Sequence, residues 1–159
     1  MSLPKLVYSF VFATLIGQVA IVTAQTTSES DAVVTNALSK RVEAFFGNLK
    51  SPSVNAEDAF AELLFGGPLG GRTEQLNAFV DSYKKLEASY GRFLVAKQVH
   101  VKRVGDDLMF LTFLYESERF PLVWRFVFYR PPLDTLERPD WFVARLSFDT
   151  KLEQLSSLP

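Results

Sequence analysis

The feature of this chain that most limits its fold is a change of hydrophobic period at Gly91. Before Gly91, apolar residues recur every three or four positions, which is typical of amphipathic helices. After it, the apolar residues alternate with polar ones, which is typical of half-buried β-strands. Because helical and extended segments are separated along the chain, we predict an α+β domain.

Three helices are predicted before the change. The first covers Asp31–Lys50, the second has Asn55 as its N-cap and runs through Phe65, and the third covers Thr73–Tyr90 and ends at Gly91. Their apolar faces should form one layer of the core, with Val34, Leu38, Val42, Phe45, Phe46, Leu49, Phe60, Leu63, Leu64, Leu76, Phe79, Val80, Tyr83, Leu86 and Tyr90.

Four strands are predicted after Gly91, at Phe93–Val104, Leu108–Tyr115, Leu122–Arg130 and Trp141–Thr150. Their connections are short, so consecutive strands should be antiparallel neighbours. A turn at Ser117-Glu118 would pair Phe113 with Leu122, Leu111 with Trp124 and Met109 with Phe126. We therefore predict a curved four-stranded antiparallel sheet with the three helices packed on it.

The third strand lies in the stretch FPLVWRFVFYR, which places large rings on one face of the sheet. The inner face is predicted to carry Phe120, Leu122, Trp124, Phe126 and Phe128, with Phe142, Ala144, Leu146 and Phe148 from the fourth strand. These rings either fill the core or line an apolar cavity. If there is a cavity, its predicted ligand-binding residues are Trp124, Phe126, Tyr115, Phe113, Phe148, Tyr83 and Phe79.

The opposite face of the sheet mixes arginines with aromatic and aliphatic residues. Arg125, Arg145, Tyr129 and Trp141 are predicted to lie there, beside Val127 and Val143. Such a surface is typical of a homodimer or partner interface. The alternative is a solvated sheet face with ion pairs, in which Asp149 is the expected partner of an arginine.

The N-terminus has the pattern of a secretory signal peptide. Lys5 is followed by an apolar run from Leu6 to Ala24, and Val22-Thr23-Ala24 places small residues before a cleavage site at Gln25. We therefore predict an exported protein, either periplasmic or secreted, with residues 1–24 removed. The alternative is an uncleaved membrane anchor, since the apolar run approaches the length of a bilayer span.

The remaining boundaries follow from composition. Residues 25–31 are predicted to be a polar tether, 32–150 the α+β domain and 151–159 a C-terminal tail. The chain of 159 residues suits a single domain, and its net charge of −1 argues against binding to nucleic acid. The absence of cysteine excludes disulfides, thiolate catalysis and cysteine-based metal sites.

Chemical motifs are weak in this sequence. His100 is the only histidine, so a catalytic triad or a transition-metal site is not indicated, and the side of the first strand on which it lies stays open. GGPLGGRT at residues 66–73 superficially fits a phosphate-binding loop, but a helix precedes it and arginine stands in place of lysine. We predict a flexible connection there, and no catalytic residue and no cofactor are assigned.

The order of elements, ending in WFVARLSFDT, resembles the nuclear transport factor 2-like superfamily over residues 32–150. The resemblance implies a cone-shaped α+β fold, which ketosteroid isomerases and polyketide cyclases share with many secreted proteins. That family usually has a β-hairpin before the third helix. Here GGPLGGR occupies its place, so a smaller sheet and a more open pocket are expected.

The function expected from these observations is non-enzymatic. We predict binding of a small apolar ligand, assembly through the sheet, or both. The alternative is an isomerase- or cyclase-like enzyme acting on a small apolar substrate. Such an enzyme needs a general-base carboxylate facing an apolar pocket, and the predicted inner face contains none on its central strands.

Overall fold

The computed structural model describes residues 22–131 and 140–157. It confirms an α+β fold with three α-helices followed by a four-stranded antiparallel sheet, in the strand order β1-β2-β3-β4. The elements are α1 (Val22–Lys50), α2 (Ala56–Leu64), α3 (Thr73–Tyr90), β1 (Phe93–Val104), β2 (Leu108–Ser117), β3 (Leu122–Tyr129), β4 (Phe142–Asp149) and a C-terminal 3₁₀ helix (Leu152–Ser157).

Helix α1 begins earlier than the sequence predicts. It starts at Val22 instead of Asp31, so residues 25–31, predicted as a loose tether, are helical. Residues 1–21 of the predicted signal peptide lie outside the described residues. Within the described ranges, none of the helices combines the length and the hydropathy that crossing a bilayer requires.

The ends of α2 and α3 follow the predicted capping chemistry. The Asn55 side-chain oxygen accepts a hydrogen bond from the Asp58 backbone N–H at 2.7 Å, as an N-cap does. Helix α3 ends at Gly91, whose φ of 88° is in the region that favours glycine. The glycine-rich segment at residues 66–72 connects α2 to α3, as predicted.

The core lies between the helices and one face of the sheet. Phe45 and Phe46 of α1 pack on Trp124 of β3, with ring centroids 5.8 and 5.5 Å apart. Phe60 of α2 also stacks on Trp124, at 6.4 Å. The apolar faces predicted for the three helices all belong to this core or pack against it.

The register between β2 and β3 differs from the predicted one by two residues. Phe113 pairs with Trp124 and Leu111 with Phe126, because the connection spans residues 118–121 and not Ser117-Glu118. A shift of two positions leaves every side chain on its predicted face. Phe120 is the exception, because it lies in this connection and is 40% exposed.

A β-bulge in β4 reverses part of the predicted assignment. Val127 pairs with Arg145 and Phe128 with Val143, which leaves Ala144 as the extra residue. The residues of β4 that precede the bulge therefore lie on the face opposite to the predicted one. Val143 and Trp141, predicted to lie outside, belong to the core, and Trp141 is only 7% exposed. The predicted inner position of Phe142 is wrong for the same reason, because Phe142 pairs with Tyr129 of the outer face, whereas Ala144 has no partner that determines its face.

Strand β1 is irregular at two places, because Leu94 and Val99 have no partner in β2. The second irregularity fixes the position of His100. It pairs with Thr112, which in turn pairs with Arg125. Since directly paired residues share a face, His100 lies on the outer face of the sheet.

The C-terminal segment is partly ordered, in contrast to the predicted tail. Leu152–Ser157 forms a 3₁₀ helix, and the Gln154 side-chain oxygen accepts a hydrogen bond from Arg125 Nη2 at 2.8 Å. Residues 158–159 of the predicted tail lie outside the described residues, as do residues 132–139 of the predicted loop before β4.

Candidate functional site

The space around Trp124, where the sequence allows a cavity, is filled by aromatic rings. Trp124 is fully buried, and its ring stacks on Phe148 with centroids 4.5 Å apart and on Tyr115 at 5.6 Å. The rings of Phe45, Phe46, Phe60 and Phe126 surround it as well. The inner-face rings therefore act as core.

The residues predicted to line a pocket are brought together, although in a packed arrangement. Phe113, Phe126, Tyr115 and Tyr83 are buried. Phe79 and Phe148 are only partly buried and lie at the edge of the same cluster. Phe148 also lines a shallow hollow of 320 Å³ between α3 and the end of β4.

Two polar atoms inside this cluster lack hydrogen bonds. Among the described residues, Trp124 Nε1 has no partner, and the Tyr115 hydroxyl has none in good hydrogen-bonding geometry, although the Tyr83 phenol is close enough to interact with it. Burial raises the pKa of Tyr115, and the neighbouring Tyr83 phenol raises it further. Burial also raises the pKa of Tyr83. Both phenols therefore stay neutral at physiological pH.

The predicted outer surface is only partly free. Arg125 Nη1 binds the Asp149 carboxylate at 2.7 Å, which confirms the expected ion pair, and its Nη2 binds Gln154. Arg145 is exposed and Tyr129 is half-buried, with its ring against Phe142 at 5.6 Å. The fourth predicted residue, Trp141, belongs to the core.

An open cleft lies on the helical side, next to Trp141. It has a volume of 620 Å³ and is formed by α1, α2, the segment after α2 and the start of β4. We call it the Arg41 cleft. Its lining residues are Arg41, Ala44, Phe45, Ala59, Glu62, Leu63, Phe65, Gly66, Asp140, Trp141 and Phe142.

Arg41 projects from α1 into this cleft and is held by backbone oxygens. Its Nη1 donates to the Trp141 carbonyl at 2.7 Å, and its Nη2 donates to the carbonyls of Leu63 at 2.7 Å and Phe65 at 3.2 Å. Two of these carbonyls end helix α2, where a cation is favoured. The guanidinium also lies 5.8 Å from the centre of the Phe128 ring.

The described lining of the Arg41 cleft contains one cation, Arg41, and two carboxylates, Glu62 and Asp140. Burial lowers the pKa of Arg41, while Asp140 and Glu62 act in the opposite direction. Neither carboxylate is within ion-pair distance of Arg41 in the described part of the chain. The cleft thus combines an apolar floor with one half-buried cation and two carboxylates at its rim.

The buried polar residues in the described ranges are Ser39, Thr112 and Ser117, and none of them is a carboxylate. The described residues also contain no group of three or more histidine or acidic side chains that could hold a metal ion.

Arg41 is not among the site residues predicted from the sequence. A signal was present, because Arg41 is a charged residue between Leu38, Val42 and Phe45, which all belong to the apolar stripe of α1. Its carbonyl partners, however, come from distant segments that only the fold brings together. Comparisons with known proteins add no further site residues, since no family model, curated protein or solved structure matches this chain.

Proposed function

We propose that this chain is an exported, non-enzymatic domain that binds a small, largely apolar ligand in the Arg41 cleft. The proposal includes a cone-like arrangement of the helices on a curved sheet, as the resemblance to the nuclear transport factor 2-like superfamily implies. The observation that carries it is the cleft itself. Its 620 Å³ falls within the range of about 300–1,000 Å³ found for small-molecule pockets.

The lining of the cleft suggests how a ligand would lie. An apolar body would rest on Phe45, Leu63 and Trp141, which form buried parts of its floor. A polar group would face the rim, where Glu62 and Asp140 are exposed. Arg41 already donates hydrogen bonds to three carbonyl oxygens, which hold its guanidinium in place against the cleft. Its donors are therefore largely occupied, and we do not expect it to be the main binding group for an anion.

The binding proposal can be tested with the neutral apolar dye N-phenyl-1-naphthylamine and the purified protein. Ala44 lies on the wall of the cleft and is exposed, so Ala44→Trp should fill the cleft without disturbing the core. Ala78→Trp on α3 is the matched control, because Ala78 is also exposed and helical but lies outside the cleft.

We expect saturable dye fluorescence with the original protein and with Ala78→Trp, and binding at least ~10-fold weaker with Ala44→Trp. Equal binding by the two variants, or no saturable binding at all, would reject the site. A covalent conversion of candidate substrates that survives Ala44→Trp would instead favour an enzyme with a different site.

Export has its own test. The protein recovered outside the cytoplasm of an expressing host should begin at Gln25, as mass determination of its N-terminal peptide would reveal. An intact N-terminus retained in the membrane fraction would support the anchor alternative. Ligand binding in the Arg41 cleft does not depend on this outcome.

Assembly through the outer face of the sheet is a second proposal, supported by exposed Arg145 beside half-buried Val127 and Tyr129. Arg125 is already occupied by Asp149 and Gln154, which leaves Arg145 as the charged centre of that surface. Sedimentation should then reveal a dimer that Arg145→Glu dissociates. A monomer at high micromolar concentration would reject it.

A further inference from the structure

Strand β1 is an edge of the sheet, and a groove runs beside it on the helical side. Its backbone pairs with β2 on one side only. Between β1 and the end of α1 lie two hollows of 320 and 180 Å³ that share Lys50, Phe93 and Leu94. We call the two hollows together the edge groove. It is separate from the Arg41 cleft and has no lining residue in common with it.

Apolar side chains are exposed along this edge. Leu94 is 46% exposed and Val95 is 40% exposed, and Val99 and Val104 are exposed further along the strand. Leu94 and Val99 are the two residues without partners in β2. Both residues lie at irregularities of the β1–β2 pairing, and the Leu94 carbonyl accepts a hydrogen bond from the Lys50 ammonium at 3.0 Å.

Gly47 provides a second and independent indication. It lies inside α1 and lines the edge groove, and its φ is not positive. A Cβ built at Gly47 would meet no atom within 4 Å, so neither the backbone nor the packing requires glycine. Glycine inside a helix lowers stability relative to alanine. What it provides here is an open wall facing Leu94 and Val95.

We propose that the edge groove binds an extended segment of another protein, which adds as a strand to β1. An exposed strand edge offers main-chain donors and acceptors, and strand addition satisfies them. Alternate side chains of the segment would lie over Phe46, Phe93 and Ala96, which form the apolar floor. The Leu94–Lys102 stretch accommodates about nine residues.

The charges of β1 favour an acidic segment over a second copy of this chain. The strand carries Lys97, Lys102 and Arg103 and no acidic residue, so the basic excess lies on the strand, whereas the groove beside it is lined by both acidic and basic side chains (Glu43, Glu87, Lys50 and Arg92). Lys97 is paired with Glu116, whereas Lys102 is exposed and has no carboxylate within ion-pair distance in the described ranges. If β1 of a second copy of this chain paired with this strand, lysine and arginine side chains of the two copies would lie close together. Repulsion between these like charges disfavours such a dimer. Acidic residues toward both ends of the bound segment would meet Lys50 and Lys102.

A phage-displayed library of random twelve-residue peptides, selected on the purified protein, tests the proposal. We expect enriched sequences that alternate apolar residues and contain Asp or Glu. The corresponding synthetic peptide should bind at least ~10-fold more weakly to Gly47→Leu, whose side chain fills the groove, and more weakly to Lys102→Glu. Gly47→Ala is the matched control and should bind the peptide normally.

Gly47→Leu and Gly47→Ala also distinguish a loss of binding caused by filling the groove from one caused by misfolding. Both remove a helical glycine at a position with free space, so both should melt no lower than the original protein. Ala44→Trp should leave peptide binding unchanged, which distinguishes this site from the Arg41 cleft. Failure to enrich peptides, binding that Gly47→Leu does not affect, or a dimer that Gly47→Leu dissociates would each overturn the proposal.

Discussion

The guanidinium of Arg41 donates a hydrogen bond to the carbonyl oxygen of Trp141, 100 positions later in the chain, at 2.7 Å. The same side chain binds the carbonyls of Leu63 and Phe65 at the end of α2. One residue therefore joins α1, α2 and the start of β4. The same elements form the walls of the Arg41 cleft. The hydrogen bonds of Arg41 therefore both link these elements and fix the shape of the cleft.

Replacing Arg41 should be costly to stability. In Arg41→Ala, the Trp141 and Leu63 carbonyls lose a charged donor in a half-buried setting, and the start of β4 loses its link to α1. Hydrogen bonds to charged groups contribute about 1.5–3 kcal/mol each, and losses at one residue do not add fully. We expect a decrease of about 2–4 kcal/mol in the free energy of unfolding, measured by urea denaturation.

Arg119 offers the matched control. Its Nη1 also donates to carbonyls near a helix C-terminus, those of Ala88 and Ser89, but the side chain is exposed. Arg119→Ala should cost less than about 1 kcal/mol, because water replaces the lost donor. Equal losses in the two variants would mean that Arg41 does not hold the elements together.

The apolar period was sufficient to predict which residues of the helices and of the central strands face the core. A large apolar side chain such as Phe45 or Trp124 is stable only in the core. The periodic positions of such residues therefore indicate which face of each helix or strand is directed toward the core. The two-residue register error between β2 and β3 left these faces unchanged, because side chains in a strand alternate with a period of two.

The site was harder to predict than the fold. Trp141 and Val143 were assigned to the wrong face, because the bulge at Ala144 depends on pairing with β3 and has no local sequence signature. The role of Arg41 depends on three carbonyls from two distant segments, the end of α2 and the start of β4. Backbone oxygens carry no residue identity, and a sequence pattern cannot indicate which of them a guanidinium will bind.

The change from helix to strand at Gly91 gives a second prediction. Gly91 has φ 88° and ψ 179°, a region almost restricted to glycine, and a Cβ there would lie 2.8 Å from the Glu118 Cβ. We expect Gly91→Ala to lower the free energy of unfolding by more than about 2 kcal/mol. Gly71→Ala, where a Cβ meets no atom within 4 Å and φ is not positive, should change it by less than about 1 kcal/mol.

The buried Tyr115 hydroxyl gives a third prediction. No described group lies in good hydrogen-bond geometry to it, and the Tyr83 phenol, which interacts with it more weakly, is the group that its removal would affect. Tyr115→Phe should therefore be neutral or raise the free energy of unfolding by about 1 kcal/mol. Tyr115→Leu, which removes ring stacking on Trp124 and Phe93, should be destabilising. A loss of more than about 1 kcal/mol in Tyr115→Phe would instead indicate that the hydroxyl makes a strong hydrogen bond, either to the Tyr83 phenol or to a buried water or ligand.

The same phenols determine how stability changes at alkaline pH. Burial raises the folded-state pKa of Tyr83 and Tyr115, so above pH ~10 the unfolded chain loses phenol protons that the folded chain keeps. The folded state then binds more protons than the unfolded state, and stability falls as pH rises. The full stabilisation is present below the unfolded-state pKa.

Each such phenol contributes a slope of about 1.4 kcal/mol per pH unit above that value. Tyr115→Phe removes one of the two, so we expect the variant to lose stability less steeply than the original protein between about pH 10 and 11.5. The measurement is the urea midpoint as a function of pH, compared with the tyrosinate absorbance of the folded protein. Parallel curves for the two proteins would mean that Tyr115 titrates in the folded state as it does in water, and that the ring cluster around Trp124 is open to solvent.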